Sequence, residues 1–243
     1  MIWIRSILYW LGMAIITPPY AIFCIMILPL PPVLRTRIIT GWSRSLLWWL
    51  GVTCGLKGRV VGEENIPAGP AMIICKHQSA WETMALQMVF PPMVFVIKRE
   101  LLKLPFFGWG LKATSPIAID RTNRSEAQRL LMEQGQDRIK HGFWITIFPE
   151  GTRIAPGVRG KYKPGGARLA IALGIPLVPV MVNAGEFWPR NSFLKHPGTI
   201  TMKIGKPIDT AGRDAMQLTA EVEQWIESEL AAMPERGPCY PKK

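Results

Sequence analysis

The chain has 243 residues, of which 29 are lysine or arginine and 17 aspartate or glutamate, for a net charge of +12. That length suits one domain with an appendage and buries roughly 70% of the unfolded surface, enough for a real core; the charge calls for an anionic partner, whether nucleic acid, an anionic membrane or a phosphorylated substrate. No helix-turn-helix, zinc-finger or RNA-binding pattern is present, which argues against nucleic acid, and Cys24, Cys54, Cys75 and Cys239 have no C-x-x-C spacing, which argues against a metal or disulfide framework and fits a reducing, cytoplasmic setting.

In chain order, Ser6 to Leu34 carries no charge. As one straight helix it would reach about 43 Å, against a hydrocarbon core of about 30 Å. Thr17-Pro18-Pro19 lies in its middle, where proline breaks the hydrogen-bond ladder. The expectation is a two-helix hairpin dipping into one leaflet, with a single kinked span as the alternative and no cleaved signal peptide. Arg35 to Leu50 then reads as an amphipathic helix. Ile38, Trp42, Leu46 and Trp49 recur at three and four residues, and Arg35, Arg37 and Arg44 carry its charge. It suits the lipid headgroup level, or else an ordinary core-packing face. Residues 1–60 hold six cations and no acid, which favours a membrane over DNA and sets this side towards the cytoplasm.

From Gly51 the pattern changes to short apolar runs separated by helical stretches. Strands are expected at Leu56–Val61, Ala71–Cys75, Met93–Ile97, Pro116–Ile119, Trp144–Phe148, Leu177–Val182 and Ile200–Ile204, and helices at Ala80–Val89, Ser125–Lys140, Gly166–Leu173 and Met216–Ala232. Ser125 with Gln128 has capping-box spacing. The fold class that follows is α/β: a largely parallel mixed sheet flanked by helices. Residues 1–50 form the membrane-associated part, 51–233 the α/β domain and 234–243 a frayed tail.

Two stretches carry chemistry. The run Ala71–Cys75 leads into Lys76-His77-Gln78-Ser79-Ala80-Trp81-Glu82, placing His77 in a loop at a strand's carboxyl end, where open α/β sheets bind ligands. His77 suits a general base and Glu82 could orient it. Equally, Glu82 could complete a capping box with Ser79, and His77 could be a satisfied buried histidine. Cys75 is conceivable as a nucleophile, or is an ordinary buried cysteine. The second stretch, Trp144–Phe148, runs directly into Pro149-Glu150-Gly151-Thr152-Arg153. Lys98-Arg99 follows another strand. His141 and His196 stand apart from acids and cysteines and read as surface residues, so no metal site is expected. Gly157-x-x-Gly160-Lys161 lacks full P-loop spacing, and there is no G-x-S-x-G.

His77-x4-Glu82 followed by Phe148-Pro149-Glu150-Gly151-Thr152-Arg153 resembles the glycerolipid acyltransferase family, in particular its bacterial 1-acylglycerol-3-phosphate acyltransferases. Lys98-Arg99-Glu100-Leu101 with Pro105-Phe106-Phe107-Gly108-Trp109, and Ile175-Pro176-Leu177-Val178-Pro179-Val180, agree with it. The likeness covers roughly Ala71 to Asn183, and departs in having Glu82 where the family usually has Asp.

The resemblance implies transfer of an acyl chain from a thioester to the free hydroxyl of lysophosphatidate at a bacterial inner membrane. His77 would be the base and Glu82 its orienter. Lys98, Arg99, Glu150, Gly151, Thr152 and Arg153 would form the phosphate-binding set, although Lys98 and Arg99 also read as a solvated loop and Glu150 as a partner for a neighbouring cation. Phe106, Phe107 and Trp109 would line an acyl slot or simply be core, and Lys163 would help hold phosphate or the donor. The donor would be acyl-carrier protein or a coenzyme A thioester, with no cofactor. Other acceptors, lyso-ornithine lipid or glycerol 3-phosphate, are alternatives, as is a non-catalytic protein that binds anionic lipids.

Overall fold

The computed structural model describes residues 1–120 and 124–241. Two long helices come first, α1 (Ile2–Met26) and α2 (Pro32–Cys54). They are followed by β1 (Leu56–Val61), β2 (Met72–Cys75), α3 (Trp81–Val89), β3 (Met93–Lys98), α4 (Phe107–Ala113), β4 (Ile117–Ile119), α5 (Arg124–Lys140), β5 (Trp144–Ile147), α6 (Gly165–Leu173), β6 (Leu177–Val182), β7 (Gly198–Ile204) and α7 (Ala215–Ala231). The seven strands form one sheet in the order β1-β7-β6-β2-β5-β3-β4. Every pairing is parallel except β6 with β7. The expected fold class is the one observed.

Side chains alternate across the sheet, as the two-residue repeat of a strand demands. Ile73 and Cys75 of β2 face a core shared with Leu46 and Leu50 of α2 and Trp81, Met84 and Ala85 of α3. Met72 and Ile74 face the opposite core, with Ala167, Leu169 and Ala170 of α6 and Leu218, Val222, Ile226 and Leu230 of α7. With both faces covered, β2 is buried along its whole length. Helix α7 shows why these residues form this element. Its four buried residues recur every fourth position, and the Asp214 carboxylate caps it by accepting from the Met216 and Gln217 amides. Each such aliphatic side chain contributes about 1.5–3 kcal/mol on burial.

The N-terminal helices differ from expectation. Helix α1 continues through Pro18 and Pro19, and the chain turns at residues 27–31. Packing offsets the two lost backbone bonds. The Trp42 indole donates to Thr17 Oγ1 (3.3 Å), the Tyr20 hydroxyl donates to Ile38 O (2.8 Å), and Gly12 lets the Trp49 ring lie against the α1 backbone. The turn itself is held by Arg35, which donates to Leu28 O, Ala113 O and Ser115 Oγ. Arg35 is therefore an internal staple, whereas its position in an amphipathic pattern had suggested a headgroup charge. Helix α2 ends at Cys54, on Gly55 in the left-handed conformation, so the boundary falls there and not after residue 50.

Two further expectations change. The stretch after Lys98 forms a 3-10 turn, Arg99–Lys103, and then α4, which packs on α1. The tail from residue 234 is tied down as far as it is described. The Glu186 carboxylate accepts from the Gly237 amide (2.7 Å) and pairs with Arg236 (3.3 Å), and Glu186 O accepts from the Cys239 amide. Ser125 falls within α5, and the cap expected of it rests on a side chain outside those described.

Candidate active site

The sheet register brings the two motifs together. Strand β2 pairs with β5, with Ile74 opposite Ile147. Three residues beyond each lie His77 and Glu150, and the His77 amide donates to Glu150 Oε2 at 2.8 Å. The Ile154 amide donates back to His77 O at 2.8 Å. Between them Gly151 turns the chain at φ 71°, a conformation that glycine alone adopts without cost.

Glu150 does not face the open site. It is buried, and Oε1 lies 3.1 Å from Lys76 Nζ. Lys76 is fully buried and lies 2.6 Å from Glu227 Oε1, which also accepts from the Tyr162 hydroxyl at 3.0 Å. Burial pushes the Glu150 carboxyl above the usual carboxylate range, with the Lys76 ammonium pulling the other way. The acid of the Phe-Pro-Glu-Gly-Thr-Arg motif thus anchors the loop and aims the His77 backbone, and it touches no ligand space.

The imidazole is held on two sides. Its Nδ1 lies 2.9 Å from Glu82 Oε1, which also accepts from the Gln78 and Ser79 amides at 2.6 Å each. The capping box expected of Ser79 and Glu82 is therefore only half formed: Ala80 opens α3 without a side-chain cap, Ser79 Oγ accepts from the Trp81 amide, and Glu82 ties down the preceding loop with the same oxygen that orients the ring. A carboxylate only accepts, so Nδ1 carries the proton and Nε2 keeps the free lone pair. The Phe148 ring stacks on the imidazole with centroids 3.9 Å apart and 14° between planes, backed by Phe95 at 6.0 Å. This arrangement fixes the ring plane as Glu82 fixes its rotation. Cys75 is no competing nucleophile. It is buried, desolvation raises its thiol well above the ordinary range, and its sulfur donates to Lys76 O.

His77 lines a cavity of about 1140 Å³ that is mostly apolar. Lys98, Gly151, Thr152 and Arg153 line it too, as do Phe106 and Phe107. Arg99 and Glu150 do not. Trp109 packs edge-on against Phe106 outside it, and Lys163 lies away from it, with its amide donating to Pro149 O. Sequence reasoning missed the far wall. Trp10, Met13, Thr17 and Ala21, one stripe of α1, line the cavity. The opposite stripe of α1, with Ile4, Leu8, Leu11, Ile15 and Ile22, is exposed. The stripe pattern was in the sequence, but expecting a break at Pro18 concealed it.

Helices α2 and α3 add Ile39, Trp42, Thr83 and Met84 to the wall, and the loop after β6 adds Trp188, Arg190 and Phe193. Lys195 pins it. Its side chain is fully buried among the rings of Trp10 (3.8 Å), Trp188 (4.7 Å), Tyr9 (5.0 Å) and Phe193 (5.5 Å). Burial pulls the Lys195 ammonium down to about 7, while the ring faces favour its charged form.

A family model described as acyltransferase matches residues 57–183, spanning both motifs and the sheet between them. The chain belongs to the acyltransferase family. A Pseudomonas aeruginosa protein named 1-acyl-sn-glycerol-3-phosphate acyltransferase is 40% identical to this acyltransferase over 234 residues, 94% of this chain and 91% of that one. An Escherichia coli protein of the same name is 33% identical over 169 residues, 68% of this chain and 69% of its own. The crystal structure of the 1-acyl-sn-glycerophosphate acyltransferase of Thermotoga maritima has the same fold, with a TM-score of 0.78 over 96% of this chain and 97% of that one at 22% identity. Where the acyltransferase motif usually carries Asp, the longer Glu82 still reaches Nδ1 at 2.9 Å.

Proposed function

We propose that this acyltransferase moves a fatty acyl chain from an acyl thioester to the free sn-2 hydroxyl of lysophosphatidate, giving phosphatidate. His77 Nε2 takes the hydroxyl proton as the oxygen attacks the thioester carbonyl. The carbon–sulfur bond then breaks, and the proton passes to the departing thiolate. Glu82 stabilises the imidazolium formed between those steps. A positioned base of this kind contributes roughly 10²- to 10⁴-fold. The carrying observation is that one cavity holds both the Glu82-oriented imidazole and the Arg153 side chain, whose planar fork matches phosphate oxygens. The cavity's apolar length suits the acyl chain, with Phe106 and Phe107 in its wall.

Helix α1 is long and apolar enough to cross a membrane by length and composition. Its packing on α2 and α4 supports a different placement: one stripe against the cavity and the other lying in one leaflet of the bacterial cytoplasmic membrane, with the catalytic domain on the cytoplasmic side. The acyl chain would then enter from lipid without crossing water. The donor is an acyl-carrier protein or coenzyme A thioester.

The test crosses both donors with lysophosphatidate, glycerol 3-phosphate, lyso-ornithine lipid and monoacylglycerol. The proposal expects turnover chiefly with lysophosphatidate. Equal turnover with monoacylglycerol, which lacks the phosphate, would overturn it.

A further inference from the structure

The family match ends at residue 183, and the loop beyond β6 belongs to none of the motifs. That loop presents Arg190 into the cavity that His77, Lys98 and Arg153 line. The loop is rigidly held. The Trp188 indole donates to Ser192 O (3.3 Å), Ser192 Oγ accepts from the Leu194 amide (3.1 Å), and the Trp10 indole donates to Phe193 O (3.1 Å). The Lys195 amide donates to Ser6 Oγ (3.0 Å), and the Lys195 side chain is caged as described. Arg190 is thus carried on a loop fastened to α1 from two directions.

The Arg190 guanidinium is exposed, and its Nη1 donates to the backbone carbonyl of Arg153 at 3.1 Å. One bond to a neutral carbonyl uses one of five N–H donors and neutralises nothing. Among the described residues, no carboxylate lines the cavity. Three cations therefore share a space with no internal counter-ion, an arrangement that an anion stabilises.

We infer that Arg190 is a substrate-binding residue: a second guanidinium, beside Arg153, for the phosphate of the acceptor. This rests on the lysophosphatidate reading above. A phosphate monoester offers three terminal oxygens and up to two negative charges, more than one planar fork satisfies. A phosphodiester offers two oxygens and one charge. Two guanidinium groups on the wall of one cavity therefore set a preference for a terminal monoester over a diester headgroup.

The experiment compares wild type, Arg190→Gln and Arg190→Lys with lysophosphatidate, lysophosphatidylglycerol and monoacylglycerol, measuring KM for acceptor and donor separately. Arg190→Gln ends two bonds short of Nη1 and loses the bond to the Arg153 carbonyl together with the charge, so a purely structural role would alter turnover of all acceptors alike and leave the monoester-to-diester preference unchanged. The expected result is at least a tenfold rise in the lysophosphatidate KM, a donor KM within twofold, and a monoester-to-diester preference reduced by a similar factor. Arg190→Lys, which keeps the charge without the fork, recovers part of the loss. Unchanged selectivity in Arg190→Gln, while wild type still requires the phosphate, would overturn the assignment of Arg190 alone. Wild type that uses monoacylglycerol as well as lysophosphatidate would instead remove the acceptor reading, and this inference with it.

Discussion

Glu82 Oε1 lies 2.9 Å from His77 Nδ1 while accepting the backbone amides of Gln78 and Ser79, so one carboxylate oxygen both holds the loop ahead of α3 and orients the imidazole. Its side chain is wholly buried and that of His77 is 14% exposed, so the pair works with little solvent screening.

Glu82→Gln keeps an oxygen for both amides but removes the charge that stabilises an imidazolium. We expect kcat to fall by roughly 10²-fold or more with both KM values little changed, because the charge acts only as the proton moves. Glu82→Asp keeps the charge but shortens the reach, and should lose less. Steady-state kinetics with varied donor and acceptor check this. A large KM effect with kcat intact would show that Glu82 acts only on the fold of the loop.

Lys76 lies between Glu150 and Glu227 with no solvent access of its own. Lys76→Met leaves Glu150 buried without its cation, a loss of about 3–5 kcal/mol. The sign of the pH dependence follows from Glu150, whose carboxyl burial already raises. A group with a raised folded pKa favours the folded state below its ordinary pKa of 4.5, and loses that contribution as pH rises through the folded value. The deficit of Lys76→Met should therefore widen as pH rises above 4.5, as read by urea midpoints of variant and wild type. A deficit independent of pH would show that the ion pair is not its source.

Lys195 tests the aromatic cage. Burial lowers its ammonium from 10.5 to about 7, so the folded state releases a proton that the unfolded state keeps. Stability from this group rises with pH between about 7 and 10.5, and is absent below that window. The melting temperature of wild type minus that of Lys195→Met should climb from pH 7 to pH 9.5. A flat difference would mean that the four rings keep the ammonium charged throughout.

The exposed stripe of α1 tests the membrane placement. Leu11→Glu and Ile15→Glu lie on the side facing away from the protein, so the fold should survive. The doubly substituted protein should no longer sediment with anionic phospholipid vesicles, while its melting temperature moves little. Retained vesicle binding would place the membrane contact on another surface.

The central strands β2, β3, β5 and β6 were legible because each is a short apolar run, and because β2 and β5 carry the two recognisable motifs at their carboxyl ends. Three things were not. Helix α1 survives Pro18 and Pro19 through tertiary contacts from Trp42, Tyr20 and Trp49, which a local proline rule does not see. Helix α4 contains Gly108 and Gly110 in seven residues and reads as a loop until packed on α1. Within the site, adjacency in sequence was a poor guide to adjacency in space: Arg99 and Glu150 sit in or beside the motifs yet turn away from the cavity, whereas Arg190 and the α1 stripe enter it from distant segments. The stacking of Phe148 on His77 follows from the β2–β5 pairing, which the strand pattern alone does not specify.

The most direct measurement is single-turnover acyl transfer to lysophosphatidate by His77→Ala, on protein whose melting temperature and vesicle binding match wild type. The account predicts a rate constant lowered by at least 10²-fold, the share a positioned base supplies. A rate within a few-fold of wild type would contradict it, since the lipid hydroxyl would then lose its proton without His77.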